Sequence, residues 1–419
     1  MAIKDYVSGL QFPVSMAVTD ADDIIVVEKF GNIRLVRDGQ LIERPIASVD
    51  VTAQNEAGLV GVVLTPNFAT SQEFLIFYTP EDPLNKIFIS RLKLEGERAT
   101  MLDERWLELP SRANTDRHYG GNLAFSPDGK YLFITLGDLR DSTHGQKSTT
   151  WPGSVLRFNA DASIPADNPF GPDNPVFAYG LRNPVDLAFD ADGRLYTDGN
   201  SDDVSDEINF IEASKNYGWP LIQGYCDNFP TYEPCADADL FTDPAFEFRT
   251  IVGPTGMMIY QGALFPELSG HVLMTGWHSQ AIHRLVRGEA DSMLPEGALI
   301  QLDPLHRASG EMGMTDLVEA NDGSILVLFA GPGGGAIKRI VRADNGDGDI
   351  DEEEEEDHDA DMPDEDKPSN PDNSDDPPAD DALAGGGGCS CSATDAPVIP
   401  GSAAWLAVVG ALALLRRKN

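Results

Sequence analysis

Short apolar runs introduced by turn residues recur from the start of the chain to Ile340, and helical periodicity is absent from this part. Asp22-Asp23 precedes Ile24–Glu28, Pro66-Asn67 leads to Phe74–Thr79, and Pro127-Asp128-Gly129 precedes Tyr131–Leu136. The pattern returns with Asp192-Gly193 before Leu195–Thr197, Ser269-Gly270 before Val272–Thr275, and Asp322-Gly323 before Ile325–Phe329. Gly, Asn and Asp supply the backbone conformations of tight turns, and branched or aromatic residues fit a pleated surface, so each unit predicts a strand. Several are followed by a second strand of one form: Ile33-Arg34-Leu35-Val36, Val155-Leu156-Arg157-Phe158, Ile282-His283-Arg284-Leu285 and Ile337-Lys338-Arg339-Ile340. Six such hairpins, none able to bury its apolar face alone, predict radially packed antiparallel sheets. The fold class is all-β, a six-bladed β-propeller over residues 1–343; a β-sandwich pair is the competing arrangement.

The pattern stops at Asp344. Up to Asp381 there are twenty acids and one base, Lys367, which is about half of the formal charge of −39. So few apolar residues cannot offset the entropy of ordering, so residues 344–388 are expected to form a disordered acidic linker. An acidic balance also argues against a nucleic-acid partner. Beyond the linker, residues 389–419 hold Cys389-Ser390-Cys391, an apolar run from Val398 to Leu415, and Arg416-Arg417-Lys418. The run predicts a short C-terminal transmembrane helix with its basic end in the cytoplasm. This ending resembles a bacterial sorting signal of the MYXO-CTERM type, which implies a sorting protease, membrane attachment through the helix and a propeller exported to the cell surface. Met1–Ala17 shows no secretory signal, so export predicts a start upstream of Met1 or a trimmed chain. Cys226 and Cys235 share one loop and are expected to pair in an oxidising compartment.

The densest chemistry runs from Phe177 to Pro220. It contains Tyr179-Gly180-Leu181-Arg182-Asn183-Pro184, the acids Asp202, Asp203, Asp206 and Glu207, and Asn216-Tyr217-Gly218-Trp219-Pro220. A guanidinium pairs with carboxylates in a planar fork and calcium takes many oxygens, so this segment suits an anionic ligand beside a hard cation. Gly58-Leu59-Val60-Gly61, His118-Tyr119-Gly120-Gly121, Gly137-Asp138 and Ser163-Ile164-Pro165 add further motifs in a fixed order.

Together these motifs resemble the soluble glucose/sorbosone dehydrogenases, quinoproteins that hold pyrroloquinoline quinone (PQQ) on calcium at the centre of a six-bladed propeller. The resemblance implies that His118 is the catalytic base and that Arg182 and Asn183 contact the quinone. It places Glu56 beside the cofactor, and His278 where the family has a lysine. Gly199 and Asn200 stand where main-chain carbonyls hold the cofactor calcium. Asp206, Glu207, Tyr217 and Asp227 match a second calcium cluster. Two departures bear on PQQ: Asn122 replaces an arginine, and Met312-Gly313-Met314 stands where an Arg-x-Arg stretch grips the cofactor carboxylates. The implied activity is PQQ- and calcium-dependent oxidation of a hydroxyl on a small sugar or alcohol. A cofactor-free, calcium-stabilised surface binding module and a propeller lactonase are the alternatives.

Overall fold

The computed structural model describes residues 1–113, 115–202, 205–228, 235, 240–288, 292–301, 313–331 and 333–343. The acidic linker, the sorting tail with its apolar run, and Asp203 and Met312 lie outside the described residues. Among the described residues no helix is long and apolar enough to cross a membrane.

The N-terminal strand β1 (Ala2–Leu10) is followed by six antiparallel sheets. The first holds β2 (Pro13–Val18), β3 (Ile24–Glu28), β4 (Asn32–Arg37) and β5 (Gln40–Leu41), with β6 (Ala47–Ser48) also on β4. The second holds β7 (Leu59–Leu64), β8 (Glu73–Tyr78), β9 (Lys86–Glu95) and β10 (Arg98–Pro110). The third and fourth are β11 (Leu123–Phe125), β12 (Tyr131–Leu136), β13 (Ser154–Asn159), β14 (Val176–Tyr179), and β15 (Leu187–Phe189), β16 (Leu195–Gly199), β17 (Asp206–Ile211), β18 (Phe246–Phe248). The fifth is β19 (Pro254–Ile259), β20 (Val272–Gly276), β21 (Ala281–Arg287) and β22 (Met293–Gln301). The sixth joins β23 (Gly313–Glu319), β24 (Ile325–Gly331) and β25 (Gly334–Val341) to β1, so the two ends of the domain close one blade. This is the six-bladed propeller; the sandwich alternative is excluded.

The six turn-led runs of the sequence are β3, β8, β12, β16, β20 and β24, the second strand of every blade. They read as continuous apolar runs because both of their faces are buried. Ile25 and Val27 of β3 enter the cluster between blades one and two, whereas Ile24 and Val26 enter the cluster between blades six and one. Likewise Leu75 and Phe77 of β8 face blade three while Phe74, Ile76 and Tyr78 face blade one. Each of the six apolar clusters lies between two neighbouring blades.

Polar residues at the starts of inner strands tie the blades together. Asp186 accepts from Met257 N at 2.7 Å and from the Asn122 amide, and Asp316 accepts from Met16 N at 2.8 Å. Burial is the leading cause that pushes the carboxyls of Asp186, Asp198 and Asp316 upward; Asp316 reaches about 7. For an acid raised in the folded state, the protonated form is the more stable one. That contribution is complete below the unfolded value near pH ~4 and is lost as pH rises through about 7. The melting temperature should therefore fall between about pH 5 and about pH 7.5, and Asp316→Asn should flatten the slope. Thermal melts that rise or stay level across this interval would refute the assignment.

Candidate active site

The inner strands begin, and the second strands end, at the same end of the propeller: Leu187 pairs with Thr197, and Pro254 with Gly276. The segments before the inner strands and the turns after the second strands therefore share one surface. His118, Arg182 and Asn183 belong to the first group; Asp138, Asn200, Trp277 and His278 belong to the second.

His118 is buried and sits at φ +64°, a left-handed conformation that a side-chain-bearing residue rarely adopts. Contacts on every side impose it. Its amide donates to Glu56 Oε2 at 2.6 Å, its carbonyl accepts from Leu139 N at 3.2 Å, and its Nδ1 meets Asp138 Oδ1 at 2.6 Å. Gly137 permits the approach, since a Cβ there would lie 2.2 Å from the His118 carbonyl oxygen. Asp138 is buried and also accepts from Arg140 N at 2.8 Å and from Trp219 Nε1 at 3.0 Å. With the carboxylate on Nδ1, the imidazole carries its proton there and keeps the Nε2 lone pair for a substrate proton. The sequence contained Asp138 only as part of a Gly-Asp motif; its role as the orienting partner emerges from the fold.

Arg182 is held on three sides. Its guanidinium donates to Asn200 O at 3.0 Å and to Asp202 Oδ1 at 2.8 Å, and lies 5.5 Å from the Trp219 ring centroid. Its Nε is buried with no hydrogen-bond partner. Asn183 is buried between loops: its Nδ2 donates to Glu56 Oε2 at 3.3 Å and its Oδ1 accepts from Gly120 N at 3.1 Å. Glu56, His118, Asp138, Arg182 and Asn183 thus form one connected network. Asn200 enters it through its carbonyl on Arg182, and its side chain donates to Pro254 O at 3.0 Å. Gly199 ends β16 next to it.

Opposite, His278 donates its backbone N–H to Val252 O at 2.9 Å, and its ring packs so closely on Gly253 that a Cβ there would lie 2.5 Å from Cδ2. Lys29, which sequence reasoning passed over, is a buried cation on this surface. Its Nζ donates to Ala57 O at 2.6 Å, and burial, opposed by Glu56, lowers it to about 8. Met314 is fully buried in the apolar cluster between blades five and six, so it offers nothing to a cofactor carboxylate.

The acidic loop splits into two functions. Asp206 accepts backbone N–H bonds from Ser201 at 3.0 Å, and from Val252 and Gly253 at 2.7 Å each, and so fastens blade four to blade five. Tyr217 uses its hydroxyl on the backbone of Phe210 and Glu212. Glu207 accepts from Asn209 Nδ2 at 3.0 Å and stands directly across the β17–β18 ladder from Glu247. Burial first, then the charges of Asp206 and Glu247, raise the Glu207 carboxyl to about 7. Asp227 is exposed in a short helical turn beside Cys226, which is disulfide-bonded to Cys235 as expected. Among the described residues no group of three or more His, Cys, Asp or Glu is arranged to hold a metal ion. Glu207 and Glu247 are two half-buried carboxylates set side by side, and the sequence did not single out Glu247.

Residues 10–339 match the family described as Glucose / Sorbosone dehydrogenase. Aldose sugar dehydrogenase YliI of Escherichia coli is 29% identical over 274 residues, covering 62% of this chain and 73% of that protein. Quinoprotein glucose dehydrogenase B of Acinetobacter calcoaceticus is 30% identical over 205 residues, 42% of either protein. The crystal structure of the soluble aldose sugar dehydrogenase from Escherichia coli in its apo form has the same fold, with a TM-score of 0.70 at 24% identity over 81% of this chain and 99% of that one.

Asp138→Ala would leave the imidazole, the Trp219 indole and the Arg140 amide without their acceptor. Unmade buried bonds cost about 1–3 kcal/mol each, so urea unfolding should show a loss of about 3 kcal/mol or more, with Asp138→Asn recovering part of it. Equal midpoints for wild type and Asp138→Ala would show that the network does not hold the site together.

Proposed function

We propose that this chain, which belongs to the glucose/sorbosone dehydrogenase family, oxidises a hydroxyl of a sugar-like substrate with PQQ and calcium. The family makes it a sugar dehydrogenase of the quinoprotein propeller class, and so favours the enzyme over the binding module and the lactonase. The observation that carries the reading is a buried histidine whose Nδ1 is fixed by Asp138, leaving Nε2 as base, beside the buried, unpartnered Arg182 Nε.

His118 takes the hydroxyl proton as the carbon–hydrogen bond breaks, and the positive charge that develops on the ring is stabilised by Asp138. When bound, PQQ supplies the acceptor for the two electrons and the hydrogen leaving carbon. Arg182 provides a fixed positive charge for quinone oxygens, while Asn183 and Glu56 set the spacing between the His118 and Arg182 loops. The residues fit the quinone end of the cofactor. Met314, buried in the apolar cluster, contributes nothing to the carboxylate end, so affinity for PQQ should be lower than the family's arginines would give. Glu207 and Glu247 are the side chains that would hold a structural calcium, with Asp227 and the Tyr217 carbonyl nearby in the same loop system. Asn200 O, already on Arg182, and Gly199 O are the carbonyls suited to a cofactor calcium. Export to the cell surface rests on the C-terminal sequence alone.

Titrating the apo-protein with PQQ and calcium, then adding aldoses, should bleach the quinone absorbance. His118→Ala should retain the cofactor and lose about 10²–10⁴-fold in reduction rate, whereas Arg182→Ala should weaken binding and reduction together. A wild-type protein that takes up no PQQ at any calcium concentration would overturn the enzyme reading in favour of a binding module.

Calcium that binds only the native state should raise the melting temperature at neutral pH by mass action, and Glu207→Gln should abolish the shift. Identical melts in chelator and in calcium would remove the metal from the account.

A further inference from the structure

A cleft of about 620 Å³ lies beside the His118 site, between the outer strands of blade two and the β12–β13 connection of blade three. Lys86 and Glu108 of blade two and Asp141, His144 and Trp151 of blade three line it, together with Arg112 and Leu139. The volume suits a small-molecule site. We propose that this cleft is an accessory carbohydrate subsite that binds a neutral pyranose ring.

Three observations point to that chemistry. The charges balance: Lys86 faces Glu108 at 3.4 Å and Arg112 faces Asp141 at 3.7 Å. Those separations exceed an ordinary hydrogen bond, so each headgroup keeps donors or acceptors for hydroxyls, and the absence of net charge suits an uncharged ligand. Trp151 offers an aromatic face and is fixed by an edge contact with Phe158 at 6.0 Å. Stacked tryptophan and forked charged groups match the two surfaces of a sugar ring, one of C–H groups and one of hydroxyls. Finally, His144 Nδ1 is buried without a hydrogen-bond partner. A turn of the His144 ring would bring this unmet nitrogen to the cleft, where a ligand hydroxyl could satisfy it.

The cleft also adjoins the chemistry. Leu139 lines it and donates its amide to the His118 carbonyl at 3.2 Å, and Asp138 precedes it in the chain. A ring in the cleft would be the distal unit of an oligosaccharide whose terminal unit reaches His118. That placement rests on the dehydrogenase reading; ring binding does not.

Calorimetric titration of the full chain, without PQQ, with cellotriose and with maltotriose tests the site. One-to-one binding is expected, weakened about tenfold by Glu108→Ala, a change at a partly exposed side chain outside the apolar clusters. Trp151→Phe should reduce the ligand-dependent change in tryptophan emission. In turnover with PQQ, Glu108→Ala should raise KM for the trisaccharide about tenfold and leave glucose kinetics unchanged. No binding up to about 50 mM, or binding indifferent to both substitutions, overturns the subsite. Binding that depends on Glu108 in a protein that oxidises no sugar upholds the subsite while the dehydrogenase reading fails.

Discussion

Blades of a propeller meet face to face without a shared backbone ladder, so the ring depends on side chains that reach a neighbour's amides. Here buried acids and amides perform that task. Asp316 caps Met16 N across the closing junction, Asp186 caps Met257 N, and Asp206 caps Val252 and Gly253. Glu319 accepts from Gln261 N at 2.8 Å between blades five and six. The apolar clusters supply most of the attraction between blades, but they are non-directional. The carboxyl-to-amide bonds set the angular position of one blade against the next.

The candidate site is made of the same kind of bond. Glu56 of the second blade receives the His118 amide of the third, and Asn183 of the fourth holds both Glu56 and Gly120. His118 is kept at a left-handed φ because three blades fix the backbone around it. Site geometry and ring geometry are therefore one problem. Asp206, which the family resemblance groups with calcium ligands, accepts from three backbone amides.

The second strands were legible because neighbours bury both of their faces, which turns alternation into unbroken apolar runs. Inner strands such as β11 and β15 are three residues long and led by polar residues, so they left no comparable trace. Likewise His118, Arg182, Asn183 and Glu56 carry motif neighbours, and the fold brings all four together. Lys29 and Glu247 escaped notice, and Asp138 stood out only within a Gly-Asp motif, because their roles come from contacts between separate segments, and an isolated Asp, Lys or Glu looks like any solvated charge. Asp202 was legible as an acid but not as the partner of Arg182. The methionine at 314 was recognised as a departure; its place in the apolar cluster supplies the reason, since an arginine there would have to bury its charge.

β25 has a partner on each edge, β24 on one side and β1 on the other. Tension transmitted along the chain at Ala343 would act parallel to that strand, so both ladders would be loaded in shear. Many hydrogen bonds would then have to yield together rather than in succession, as they do when a hairpin is peeled open. Closing the ring with strands from both ends thus gives the domain a mechanical clamp where the acidic segment departs.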